Sequence, residues 1–267
     1  YSVRVATTGG TEVQNTTETR EPRIADDRNI ITRVIKKTTK ESGEGFVLQK
    51  AYHTSGNASP RVQKATITVI GLDDLDEGSD YIYAEDTSTS DVPANGSASV
   101  YASATSPSGD TKWEGQVLVL DAYKADVTNG VGSDSITHSL QMDSGTPVNH
   151  TDIQSEDTTE ILGSGTVYVF TQADSDSHTY SVLLENSDAS TDSYDPVFSS
   201  MFAFPASIFE DFEYDNTDSS YSQSNTSFNE IASVTPFFPQ NSGDFLILRY
   251  SSSGHYTGGV GADMRIR

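Results

Sequence analysis

Apolar side chains in this chain recur at every second position, and each run stops at a cluster of turn residues. Successive side chains of an extended strand face opposite sides of a sheet, so this period belongs to half-buried strands and not to helices. The cleanest run closes the sequence. Val260, Ala262, Met264 and Ile266 point one way; Gly261, Asp263, Arg265 and Arg267 point the other. KATITVIGLDD alternates through Ile67 and Val69 and stops at Gly71. SASVYASATSPSGD alternates through Val100, Ala102 and Ala104 into the turn SPSGD, and EGQVLVLDAY reads as its return strand. GTVYVFTQADSDSHTYSVLLEN repeats the layout with strands at 166–170 and 180–185, and GDFLILRYSSSGHYTGGVGADMRIR does so around a turn at 251–254.

The expected fold is therefore all-β, with antiparallel sheets in one or two β-sandwich or jelly-roll-like bodies. Two of the hairpins share a Val-Tyr pair (Val100-Tyr101, Val167-Tyr168) and then a Val-Leu pair (Val117-Leu118, Val182-Leu183). That is the mark of two similar β regions, or of two hairpins under the same physical rules. The chain divides on this reading into three parts. Residues 1–64 form an extended segment with some strand, at NIITRVIKK and GFVLQKAY. Residues 65–155 form a first sandwich region, and 156–267 a second with an aromatic-rich insertion at 196–245. Helix is limited to one or two short pieces. The best candidate starts at Ser207, with Glu210 three residues on, the spacing of a capping box in which each side chain satisfies a free backbone N–H.

Composition narrows the means of stabilisation. There is no cysteine, so disulfides and thiolate metal sites are excluded. Hydrophobic residues make up 34% of the 267, which is lean. No apolar run approaches the ~18 residues of a membrane-spanning helix. Tyr1 stands first with no basic-apolar leader behind it, the look of a processed chain or a fragment.

The net charge of −23 is unevenly spread. Residues 1–64 hold 11 of the 16 Lys and Arg but 7 of the 39 acidic residues, a local balance of +4, which leaves −27 for residues 65–267. Unlike surfaces attract and orient an encounter, so a basic leading segment and an acidic body suit head-to-tail contact between copies. Arg20, Arg23, Arg33, Lys36 and Lys37 are the candidates for that contact. The alternative is that the same residues fold back onto their own acidic body. The acidic field disfavours nucleic acid, whose phosphates need a strong basic one.

Nine of the eleven phenylalanines lie between Phe198 and Phe245. They fill either a domain's own core or a contact between subunits. Phe237 and Phe238, flanked by Pro236 and Pro239, read as a contact loop. The stretch EDFEYD sets Asp211, Glu213 and Asp215 at alternate positions. It resembles the Glu-x-Asp-x-Glu strand of jelly-roll glycoside hydrolases, with the acidic residues in a different order; paired carboxylates there would imply nucleophile and acid roles. Oxygen-rich turns are candidates for Ca²⁺: Asp73, Asp74 and Asp76, with Glu77 and Asp80, in one, and Asp174 and Asp176 in another. Neither matches an EF-hand loop, and a solvated acidic turn is the simpler state. The five histidines have no metal-ligand spacing, and no nucleophile elbow or phosphate-binding loop is present.

The function expected from these features is a non-catalytic structural subunit of an extracellular assembly, most plainly a virus or phage particle, whose partners are its own copies and other structural proteins. The alternative is an adhesin, surface-layer or filament subunit that meets a glycan or receptor through Tyr101, Trp113 and Tyr256. A glycoside hydrolase is the third reading, and no cofactor other than Ca²⁺ is implied.

Overall fold

Among the described residues of the computed structural model strands dominate, and they belong to three antiparallel sheets. The structure describes residues 2–7, 18–19, 34, 36, 46–51, 71–72, 74–86, 92, 97–128, 135–154, 161–186, 193–209, 212–215 and 233. A small sheet has the order β2-β1-β3, from β1 (Ser2–Thr7), β2 (Glu18–Thr19) and β3 (Phe46–Ala51). The strand expected at GFVLQKAY is β3; β1, which carries no long apolar run, was not expected. The sandwich uses β4 (Ile82–Asp86), β5 (Ser99–Thr105), β6 (Gly115–Thr128), β7 (Ser135–Met142), β8 (Val148–Gln154), β9 (Ile161–Gln172), β10 (Thr179–Asn186) and β11 (Ser193–Pro205). One sheet runs β4-β11-β6-β9 and the other β5-β10-β7-β8.

This order is nested. β7 pairs with β8, β6 with β9, β5 with β10 and β4 with β11. Leu140 meets Val148, Leu120 meets Val167, Ala102 meets Val182 and Ile82 meets Ala203. All four pairs straddle the same turn at 143–147, so β4 to β11 make one long hairpin about that turn, rolled into two sheets. The expected hairpins are corrected here. The strand in SASVYASAT does not return along EGQVLVLDAY: β5 and β6 lie in different sheets, and so do β9 and β10. Alternation marks which side of a strand is apolar but not its partner, and a polar turn serves a sheet-to-sheet corner as well as a hairpin. Both sheets draw strands from either side of residue 155, so a boundary there does not separate two packing units among the described residues.

The apolar period sorts β11 and β6 into two faces. Met201 and Ala203 with Val117 and Val119 point between the sheets, against Leu140, Tyr180, Val182, Ala102 and Trp113. Phe202 and Phe204 with Leu118 point outward, where Val34, Leu72, Leu75, Tyr81, Ile208, Phe212 and Tyr214 cover them. Residues 196–205 are thus a strand in mid-sheet and not an insertion. Pro196 and Pro205 are tolerated because the β4 ladder spans only Ser199 to Ala203, and Pro196 sits at a bulge.

A bulge also shifts the expected phase of β5. The register slips opposite Val182 and Leu183, so Tyr101 and Ala102 are both buried and Val100 turns outward, 54% exposed. The helix expected after Ser207 is a single 3-10 turn, Ala206–Ile208, with no side-chain cap. Ser207 Oγ instead donates to the Lys112 carbonyl at 2.7 Å. Among the described residues, no helix is long and apolar enough to cross a membrane.

Candidate interface

Three loops meet at one end of the sandwich: 106–114 between β5 and β6, 143–147 between β7 and β8, and 173–178 between β9 and β10. Ser79 and Asp80 join them through Asp110, Lys112 and Trp113. Trp113 anchors the group. Its ring is fully buried in the inter-sheet core, and its Nε1–H donates to the Ser79 carbonyl at 2.7 Å. Lys112 beside it reaches outward, 2.6 Å from Asp80 Oδ1 and 3.3 Å from Ser79 Oγ. The Asp76 N–H and the Lys112 ammonium together hold the Asp80 carboxyl below its usual range. Asp110 caps the 3-10 turn Thr111–Trp113 through the Lys112 N–H.

The acidic turns expected to suit Ca²⁺ are built as turns closed on themselves. Asp76 N–H donates to Asp80 Oδ2 at 3.0 Å, and Asp176 N–H to Asp174 Oδ1 at 3.1 Å. Asp74, Asp76, Asp174 and Asp176 are solvent-exposed. Asp73 lies outside the described residues. Among the described residues no three acidic or histidine side chains converge in a way that could hold a metal ion.

His178 was not singled out by spacing, yet it is the hub of this end. Its Nε2 lies 2.9 Å from Asp174 Oδ1 and its Nδ1 2.6 Å from Asp143 Oδ2. The Asp174 contact, helped by Asp143 and opposed by partial burial, raises the imidazole pKa above its ordinary value. Asp174 is lowered in turn by His178 and the Asp176 N–H. Partial burial pushes Asp143 the other way, but the Thr179 N–H and His178 outweigh it and leave that carboxyl low. The i,i+4 placement of Asp174 and His178 is visible in ADSDSH; Asp143 comes to them only through the nested pairing.

On the outer face, Lys36 is the one basic candidate among the described residues. It pairs with Glu77 and lies 5.5 Å and 5.9 Å from the ring centres of Tyr81 and Tyr83. Burial works against its charge, but hydrogen bonds to Glu77 and Tyr81 outweigh that and raise its pKa. Ser200 Oγ donates to the Val34 carbonyl at 2.7 Å, tying the same segment to β11. At Lys36 the basic segment therefore folds back on its own body. Arg20, Arg23, Arg33, Lys37, Phe237 and Phe238 lie outside the described residues.

Phe212, Glu213, Tyr214 and Asp215 keep the expected alternation, with Glu213 and Asp215 exposed. They are not in a sheet, however, and Asp215 Oδ2 accepts from the Ser233 N–H at 2.6 Å. Asp211 lies outside the described residues. Tyr101 and Trp113, expected as glycan contacts, are buried, because the bulge turns one inward and the loop corner encloses the other. Tyr256 lies outside the described residues. The reading also missed a buried pair between the sheets: Asp121 Oδ2 on β6 is 2.6 Å from His138 Nε2 on β7, and the Thr166 N–H donates to Asp121 Oδ1 at 3.2 Å. Asp121 interrupts the apolar period of VLVLDAY, which is its sequence signal.

No family model matches the chain, and no curated protein matches its sequence. Among solved structures it is similar to a chain in the structure of infectious bursal disease virus Gx strain, with TM-score 0.30 and 11% identity over 78% of this chain. The match spans about half, 54%, of that chain's length. A likeness of this size assigns no function.

Proposed function

We propose that this chain is a non-catalytic structural subunit of a virus or phage particle, held by contacts between sandwich bodies. The observation that carries the reading is the nested eight-strand sandwich. Double-sheet jelly rolls of this order serve in viral capsids, and also in lectins and cupins. Architecture alone does not choose among these, and the surroundings of the site narrow the choice. The lectin reading loses two of its three expected contacts to burial. The hydrolase reading has Glu213 and Asp215 exposed on an irregular segment, with Asp215 Oδ2 taken up by the Ser233 N–H. Lys36 is spent within its own chain, and it is the charge contrast between the rest of the basic segment and a body of −27 that favours partners of the chain's own kind.

Light scattering and analytical ultracentrifugation on the purified chain test the reading across concentration and salt. Concentration-dependent association that weakens as salt rises is expected. A monomer under all conditions, or binding to a polysaccharide array, would overturn it.

A further inference from the structure

We propose that His178 is a pH-operated latch tying together the three loops at this end of the sandwich. The ring stands between carboxylates from two loops, Asp143 on the β7–β8 turn and Asp174 on the β9–β10 loop, at 2.6 Å and 2.9 Å. A neutral imidazole has one N–H and a carboxylate has none, so both contacts are hydrogen bonds only when the ring carries two protons. The backbone of His178 adds the third loop. Its N–H donates to Ser106 Oγ at 2.9 Å, and its carbonyl accepts from the Ser106 N–H at 2.9 Å.

The latch also holds an unusual backbone. Asp143 has φ 53°, in the left-handed region that non-glycine residues rarely adopt. Its N–H donates to the Thr179 carbonyl, and its Oδ1 accepts from the Thr179 N–H, both at 2.7 Å. The apex of the long hairpin is thus fixed to the first residue of β10, next to the titrating ring. Asp143 faces the ring from the β7–β8 turn, and Asp174 faces it from the ring's own loop, with Asp176 two residues on. The β5–β6 loop presents the neutral Ser106. Tyr180 on β10 stays protonated, with burial pushing its pKa up and its hydroxyl donating to Gln172 Oε1 at 2.7 Å.

The sign follows from the directions of the shifts. The raised imidazole pKa means that its contribution is complete below the ordinary histidine value of about 6.5 and is lost as pH rises through the raised one. Asp143 and Asp174 are lowered, so their contribution is complete above the ordinary carboxylate value of about 4 and is lost as pH falls through the lowered ones. The latch is closed in mild acid and opens on the alkaline side, where one carboxylate faces a lone pair.

The test is an NMR titration of the His178 ring in the full chain, beside a short peptide of sequence ADSDSHTYS. Amide exchange at Thr179 is followed over the same range, referenced to an amide in mid-sheet. His178 is expected to titrate above the peptide histidine, and Asp174→Asn is expected to bring the midpoint down. Thr179 exchange should rise, relative to the reference, through the same midpoint. A ring that titrates at or below the peptide value overturns the latch, as does a Thr179 amide indifferent to it. Neither result depends on the chain's being a virion subunit, and the wild-type titration needs no variant to fold.

Discussion

Met201 and Phe202 are neighbours on β11 and belong to different cores. Met201 points between the sheets, where Leu140, Val182 and Tyr180 are brought opposite it by regular strand pairing. Phe202 points outward, under Tyr81 and Tyr83 at ring distances of 6.0 Å and 4.5 Å, with Phe204 stacked beside it at 5.7 Å. The inner core is aliphatic with a few aromatic rings, and the sheets themselves enclose it. The outer core is richer in aromatic rings and is roofed by Leu72, Leu75, Tyr81, Ile208, Phe212 and Tyr214 together with Val34. A sheet buried on both faces needs apolar residues at consecutive positions, which is why MFAF breaks the simple alternation. The concentrated phenylalanines thus resolve, at Phe202 and Phe204, into a core of this chain and not a contact with a neighbour.

The largest loss is expected inside the sandwich. Trp113→Ala should cost about 3–5 kcal/mol in urea unfolding followed by circular dichroism, since it empties a buried site and strips the Ser79 carbonyl of its donor. A loss below about 1 kcal/mol would place the ring outside the core. Next comes the pair on β11. Met201→Ala and Phe202→Ala should each cost at least about 2 kcal/mol in the isolated chain. If Phe202→Ala leaves stability within about 0.5 kcal/mol but abolishes self-association, the outer face is a subunit interface and the comparison fails. Smallest is Ser200→Ala, which should cost about 1 kcal/mol by removing the hydroxyl that holds the Val34 carbonyl. Limited proteolysis should then cut near residue 34 sooner than in the parent chain; an unchanged pattern would mean that this tie does not hold the segment down.

The sequence makes individual strands legible because burial acts on each side chain separately. Val117 and Val119 show their inward side without any knowledge of what lies opposite. Pairing is not legible in the same way, because Ala102 meets Val182 across 80 residues and no local rule selects that partner over a nearby one. The bulge at Tyr101 is likewise a property of two strands. The site followed the same division. Asp174 and Asp176 were visible as an acidic turn, but the charge that organises them, His178, gains its second carboxylate from a loop 35 residues away. Ser207 and Glu210 had the spacing of a cap, but the Lys112 carbonyl competed successfully for the serine.

The nested pairing underlies all of these statements and can be tested in one step. Thr105 and Thr179 are register partners across β5 and β10, with hydroxyls 2.9 Å apart. The chain has no cysteine, so Thr105→Cys with Thr179→Cys introduces the sole thiols. Disulfides form only where the two Cβ atoms lie about 3.5–4.5 Å apart. Mild oxidation followed by thiol titration and mass spectrometry under dilute conditions is the measurement. The nested fold predicts a bridge closed within one chain; free thiols, or bridges only between chains, would contradict it.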